Sequence, residues 1–260
     1  MSVPDLLARL LTRPGALEAL QHRDTAALER ELGAEPADVA AIAALDPDAV
    51  RFYLRTLQRK RFEMIEAVFP GSLPLAREAF GSDRLADAFW RWFQPDESVA
   101  ADEVLGRIAQ AWTQFAGTVD PDRPWLADLS RYELLRWRAV LEAAPSGPVR
   151  PVYSGDRLVP APGAGMAVFA VDIALLARTA MAGEPVATAG THRLIVWFDP
   201  DAGLRVVRLG PSAYAAAEGC DGRRTIAQVA HMVAGDRKPA AGQVVDVLAR
   251  LAAAGALRVS

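Results

Sequence analysis

The sequence predicts an α+β chain: an N-terminal all-α helical bundle followed by a C-terminal domain of winged-helix-like order. Three observations predict it. Up to about residue 144 apolar residues recur at helical spacing, and five of the six tryptophans lie there. A breaker-rich stretch, PSGPVRPVYSGDRLVPAPGAG, then runs from 145 to 165. Beyond it, two β-branched runs flank a turn and precede three compact helical segments. The expected organisation is a helical domain over 1–144, a Pro/Gly-rich linker over 145–165 with a short strand at Val152 and Tyr153, and a second domain over 166–260.

Each element has a local cause. Residues 3–20 and 25–45 give two or three short helices. Asp46-Pro47-Asp48 starts a helix, with Asp46 able to cap and Pro47 preset for the first turn. It is expected to run to Phe69, ahead of Pro70-Gly71, and to bury Val50, Leu54, Leu57, Met64, Ile65 and Val68. Helices over 82–93 and 101–116 present Leu85 and Phe89, then Val104, Leu105, Ile108, Trp112 and Phe115. A further helix opens at Pro124 and carries Leu126, Leu129, Leu134, Trp137 and Val140. In the second half a strand over 166–171 leads into a helix over 173–181. The runs 192–198 and 204–209 flank Asp199-Pro-Asp-Ala-Gly203 and form a hairpin. Helices over 211–218, 225–233 and 240–253 and a terminal strand at 256–259 complete the chain.

Composition narrows the function. Lys plus Arg is 29 and Asp plus Glu is 32, a net charge of −3 that argues against a chain built for non-specific nucleic-acid binding. A single cysteine, Cys220, excludes an internal disulfide and a thiolate zinc site. His22, His192 and His231 have no ligand spacing, so no metal site and no cofactor is expected. The N-terminus has no basic region before its apolar cluster, and no uncharged apolar run of membrane length exists. The expectation is a cytoplasmic chain with no membrane partner.

No Walker loop, dinucleotide fingerprint, nucleophile elbow or zinc motif is present, and no catalytic residue is expected. Arg51, Arg55, Arg59, Lys60 and Arg61 form either a phosphate-contacting face or a solvated helix face balanced by Glu63 and Glu66. Glu133 sits near an apolar stripe, either as a buried acid or paired with Arg131, Arg136 or Arg138. Cys220 reads as a small core residue. Phe89-Trp-Arg-Trp-Phe93 places more rings on one helix than a single face can bury. Trp90, Arg91 and Trp92 are therefore a candidate partner contact, set against the alternative that neighbouring helices cover both faces.

Two segments resemble known families. Residues 209–259, with Leu209, Ser212, Ala213, Asp221-Gly222-Arg223-Arg224-Thr225, Leu248, Leu251 and Gly255-Ala256-Leu257, resemble the PqqD-like fold used to recognise precursor peptides. The stretches RFEMIEAVFP (61–70) and PWLADLSRYE (124–133) resemble the helical domain of HvfC-like proteins, often labelled DNA-binding. Chains of this two-part build look like companions of multinuclear non-haem iron oxidative enzymes, as in methanobactin biosynthesis. The resemblance implies a non-catalytic adaptor that forms a heterodimer with a separate TIM-barrel iron enzyme. It also implies binding of a precursor-peptide leader and presentation of the peptide for modification, commonly at cysteine. The alternative is a winged-helix DNA-binding regulator.

A winged-helix hairpin leaves one strand with unpaired backbone groups that can accept an extended peptide. By the resemblance, the accepting edge is the second hairpin strand, Leu204, Arg205, Val206, Val207 and Arg208. The groove beside it is expected to be walled by Val244, Val247, Leu248 and Leu251. Alternation sends Arg205 and Val207 to one face and Val206 and Arg208 to the other, with one arginine free for an acidic leader residue. The opposing possibility is that the strand over 166–171 or the linker covers this edge.

Overall fold

The computed structural model describes residues 3–93, 104–143, 151–235 and 238–260. Its helical half comprises α1 (Val3–Thr12), α2 (Pro14–Gln21), α3 (Thr25–Leu32), α4 (Pro36–Ala43), α5 (Pro47–Met64), α6 (Ser72–Phe80), α7 (Ser82–Trp92), α8 (Val104–Val119) and α9 (Trp125–Leu141). Then follow β1 (Leu158–Pro160), β2 (Gly165–Val171), α10 (Ile173–Met181), β3 (Ala189–Asp199), β4 (Gly203–Leu209), α11 (Pro211–Glu218), α12 (Ile226–Ala234), α13 (Lys238–Ala253) and β5 (Leu257–Val259). The chain divides into two compact units, Met1–Ala67 with Ala76–Phe115, and Val68–Leu75 with Ala116–Ser260. Composition changes near 144, whereas the packing changes at 115. The expected helix start at 101–103 and the linker over 145–150 lie outside the described residues.

In the first unit α1 to α4 close over Leu6, Leu10, Leu20, Leu28, Leu32, Val39 and Ile42. Asp24 caps α3 by accepting from the Ala27 N–H, and Gly33 ends it in the left-handed region. Asp46 caps α5 with Pro47 behind it, as the sequence predicts. The helix stops at Met64, five residues before Phe69. There Ile65 and Glu66 donate to Phe62 and Glu63, tightening into three-residue steps that bury Ile65. Met64 is correspondingly turned outward. An aromatic cluster forms the rest of the core: Phe62 lies 5.5 Å from Phe89 and 5.8 Å from Trp112, and Phe89 lies 5.4 Å from Phe115.

The second unit is built in layers around an antiparallel sheet of order β2-β3-β4. The β3–β4 hairpin forms where predicted. Asp199 accepts from the Asp201 and Ala202 N–H groups, and Gly203 takes a positive φ to turn the chain. One sheet face carries Ile195 and Trp197, which pack with Leu209, Ala216, Ile226, Val229 and Leu248. The other carries Leu194 and Val196 beside Ala167 and Gly165 of β2. Helix α9 covers that second face: Tyr132 meets the Phe169 ring edge-on at 6.1 Å, and Asp128 accepts from the Ala170 N–H. A helix grouped by sequence with the bundle thus roofs the sheet.

The described part of the Pro/Gly stretch is structured. Asp156 accepts from the Tyr153 N–H to form a turn, so the strand lies at Leu158–Pro160 and not at Val152 and Tyr153. It pairs antiparallel with β5. Thr225 and Gln228 form a reciprocal capping box at α12. Gly255 and Ala256 donate back to Ala252 and Leu251 and end α13 in a Schellman turn.

Candidate functional site

Strand β4 hydrogen-bonds to β3 on one side, and among the described residues no strand lies on its other side. The two elements that compete for this edge are placed elsewhere. β2 occupies the opposite edge of β3, and β1 pairs with β5. Along β4, Leu204 and Val206 are half-buried, and Arg205, Val207 and Arg208 are exposed. The register pairs Val206 with Val196 and Val207 with Ile195, so the two valines lie on opposite faces, as alternation predicts.

Neither arginine stands free. Arg205 lies 3.9 Å from Asp199, and Arg208 Nη2 donates to Asp172 Oδ2 at 2.9 Å. Asp172 also caps α10 by accepting from the Leu175 N–H. Burial works to raise the Asp172 carboxyl. The Leu175 N–H, the Arg208 hydrogen bond and charge, and the His192 charge outweigh it and hold the group below its ordinary range.

The expected groove wall is corrected by the packing. Val244, Leu248 and Leu251 are buried in the core with Ile195 and Trp197, and Val247 is half-buried against the same core. The reason is the terminal strand: α13 packs on α11, α12 and β5, which draws its apolar stripe inward. Helices α9 and α11 are the ones laid against β3 and β4.

The aromatic trio separates. Trp90 is half-buried, its Nε1 donates to the Gln58 carbonyl on α5 at 3.1 Å, and its ring lies 5.1 Å from Phe89. Arg91 is exposed and donates to the Asp87 carbonyl of its own helix. Trp92 is 44% exposed, 5.6 Å from Phe115. Sequence reasoning missed a second aromatic pair, Phe52 and Tyr53 on α5, at 74% and 58% exposure. Phe52 sits opposite the Val50–Leu54–Leu57 stripe, which was the available signal for it, whereas Tyr53 borders the stripe three residues after Val50 and four before Leu57. On the same helix Arg51 pairs with Asp48 at 3.4 Å and Arg59 with Glu63 at 3.6 Å.

Glu133 is 4% exposed and joins distant parts of the second unit. Its carboxylate accepts from the Gly71 N–H at 2.6 Å, the Ser72 N–H at 3.1 Å and the Ser72 Oγ–H at 2.6 Å. Its hydrogen-bond partners are thus the start of α6 and not the expected arginine, and Arg136 acts only through its charge. Burial raises the carboxyl above its ordinary value, against these hydrogen bonds. A Cβ at Gly71 would sit 2.9 Å from Glu133 Oε1, so glycine is needed for this approach. The arrangement caps a helix.

Cys220 is buried, and its Sγ–H points to the Ala216 carbonyl at 3.3 Å. Burial, with the Asp221 charge, pushes the thiol up to about 11. His231 is exposed and His192 half-buried. Among the described residues no group of three His, Cys, Asp or Glu side chains gathers as a metal would need, and no helix is long and apolar enough to cross a membrane. Compared with known proteins, the chain matches no family model and no curated relative.

Proposed function

We propose that this chain is a non-catalytic partner subunit in peptide modification. In this reading, β4 takes up the leader of a ribosomally made precursor peptide as an added strand. The helical unit docks on a separate multinuclear non-haem iron enzyme, which oxidises the peptide, with cysteine as the modified residue. The iron and its chemistry belong to that enzyme, and no oxidation step is assigned to residues of this chain.

The observation that carries the reading is the unpaired edge of β4. In an antiparallel sheet alternate residues point their N–H and C=O groups away from the paired neighbour, and an extended peptide about 4.8 Å away satisfies them. Val206 and Val207 supply an apolar contact on each face. Arg205 and Arg208, held by Asp199 and Asp172, offer charge to an acidic leader residue by exchange of partners. The DNA-regulator alternative finds few cations on the three helices, although Arg223 and Arg224 precede α12 and Arg205 and Arg208 lie on the hairpin. Across α11, α12 and α13 the basic side chains besides His231 are Lys238 and Arg250.

The test is fluorescence polarisation with a labelled leader from a precursor gene beside this one. Of two adjacent residues in β4, one points its N–H outward. Proline at that position removes an unpaired donor and leaves the hairpin intact, whereas proline at the other breaks the β3 ladder. Val206→Pro and Val207→Pro are therefore compared, with circular dichroism as the fold check. The variant that stays folded should bind the leader at least about tenfold more weakly, whereas Arg51→Ala and Arg55→Ala should bind as the wild type does. Equal affinity for the folded proline variant, or a gene neighbourhood without an iron enzyme and a short peptide, would overturn the reading.

A further inference from the structure

We propose that the outward face of the small β1–β5 sheet, with the turn that precedes α12, is a second binding surface, and that it takes an extended polypeptide segment carrying carboxylates at alternate positions. The inference goes beyond the partner-subunit reading and does not depend on a peptide at β4.

Register sets the face. Leu158 pairs with Val259 and Val159 with Arg258. Leu158 is buried in the core, so Arg157, Val159 and Arg258 stand on the opposite side of the sheet. The Ser260 N–H donates to the Arg157 carbonyl and extends the ladder by one residue. Along the other edge of β1 runs the turn Asp221–Thr225: the Gly222 N–H donates to the Leu158 carbonyl, and Thr225 bridges to Arg157. A Cβ at Gly222, where φ is +76°, would lie 2.8 Å from Val159 Cγ1, so glycine lets this turn close on the face. Arg223 and Arg224 follow it. Ahead of β1, the turn from Tyr153 to Asp156 leaves the Tyr153 ring 66% exposed, and its Ser154 carbonyl accepts from the Ala227 N–H at the start of α12.

Charge selects the occupant. Arg157, Arg223, Arg224 and Arg258 are all exposed. Arg224 is matched by Asp221 at 3.0 Å, and the other three make no ion pair among the described residues. Four arginines against Asp156 and Asp221, the carboxylates of the two turns, leave a surplus of two positive charges. Arg157 and Arg258 are diagonal neighbours across the strand pair, roughly 7–8 Å apart. In an extended polypeptide alternate side chains lie on one side about 6.8 Å apart, so carboxylates two residues apart reach both. A nucleic-acid strand carries a charge on every nucleotide, beyond the patch as well as on it. The unmatched arginines neutralise about three phosphates, against the roughly six to ten contacts that give such binding its strength, and Tyr153 offers one ring for stacking. A polypeptide confines its carboxylates to positions that meet arginine and leaves apolar side chains for Tyr153 and the half-buried Val159.

The test uses the full chain and three labelled probes in fluorescence polarisation at about 50 mM salt. They are a decapeptide alternating glutamate and alanine, its counterpart with glutamine in place of glutamate, and a ten-nucleotide oligothymidine. The acidic peptide should bind with a Kd below about 1 mM, and both other probes at least about tenfold more weakly. Arg157→Ala/Arg258→Ala changes only exposed side chains, and its fold is checked by circular dichroism. It should bind the acidic peptide at least about fivefold more weakly, and Tyr153→Ala about threefold. Arg205→Ala/Arg208→Ala on β4 and Arg55→Ala/Lys60→Ala on α5 should bind within twofold of the wild type. No binding of the acidic peptide by the wild type would overturn the proposal, as would a folded Arg157→Ala/Arg258→Ala variant within twofold of it. A larger loss in the β4 variant would move the peptide to that edge and overturn it too. Oligothymidine bound as tightly as the peptide would make the occupant a nucleic acid. A dimer seen by light scattering and lost in Arg157→Ala/Arg258→Ala would make it a second copy, and either result would contradict the assignment. Leader uptake at β4 is read separately by the proline variants, so failure here leaves that reading standing.

Discussion

Glu133 shows how a single buried carboxylate acts as structure. Three donors converge on it from Gly71 and Ser72, so its removal leaves buried N–H and O–H groups without acceptors. Glu133→Ala should lower stability by about 2–4 kcal/mol in urea unfolding, and Glu133→Gln by about 1–3 kcal/mol because its amide N–H₂ faces a donor. The pH dependence has a definite sign. With its folded value raised above 4.5, the native state holds the proton where the unfolded chain has lost it. Stability from this group is therefore full below 4.5 and declines as pH rises through the folded value. Asp172 and Asp221 work the opposite way, since their lowered values contribute stability that is lost as pH falls. The difference between wild type and Glu133→Gln isolates the first effect and should shrink as pH rises through that window. A constant difference would contradict it. At Cys220, a thiol at about 11 is ionised in roughly one molecule per thousand at pH 8. Ellman's reagent should leave the native protein unmodified and react fully after denaturation.

At the scale of elements, what was legible in the sequence was local. The Asp46-Pro47 start, the Asp199–Gly203 hairpin, the Thr225 cap and the Gly255 stop depend on neighbouring residues, and each forms where read. What was not legible is which face meets which. An apolar stripe states that α9 is covered without stating by what, and the partner is a sheet that begins more than 20 residues later. The same holds for α13, whose apolar positions suit a groove wall or a core equally until β5 closes behind them. Phe52 was passed over because helical periodicity registers residues on the stripe and it lies opposite, whereas Tyr53 borders the stripe and is nonetheless exposed. Gly163 tests the α9 roof directly. It has a φ of +72°, and a Cβ there would lie 2.9 Å from the Arg138 carbonyl oxygen and 3.1 Å from Ala139 Cα. Those atoms are backbone and cannot swing aside. Gly163→Ala should cost about 1–3 kcal/mol, read as a lower melting temperature, whereas Gly203→Ala meets no atom within 4 Å and is strained by its backbone angle alone.

For the whole molecule, the proposed function divides labour between a sheet edge and a helical surface, with the chemistry on another chain. One cysteine and three scattered histidines supply no thiolate or imidazole cluster. Elemental analysis of the chain purified without its partner should therefore find less than stoichiometric iron and zinc, and one tightly held equivalent of either would contradict the division. The central claim is narrower: that a peptide adds to β4. Hydrogen–deuterium exchange of the full chain, with and without saturating leader, reads it at the amides themselves. Strand addition slows exchange at alternate amides over residues 204–208 and leaves those paired with β3 as they were. Protection that falls elsewhere, with 204–208 unchanged at saturation, would contradict it.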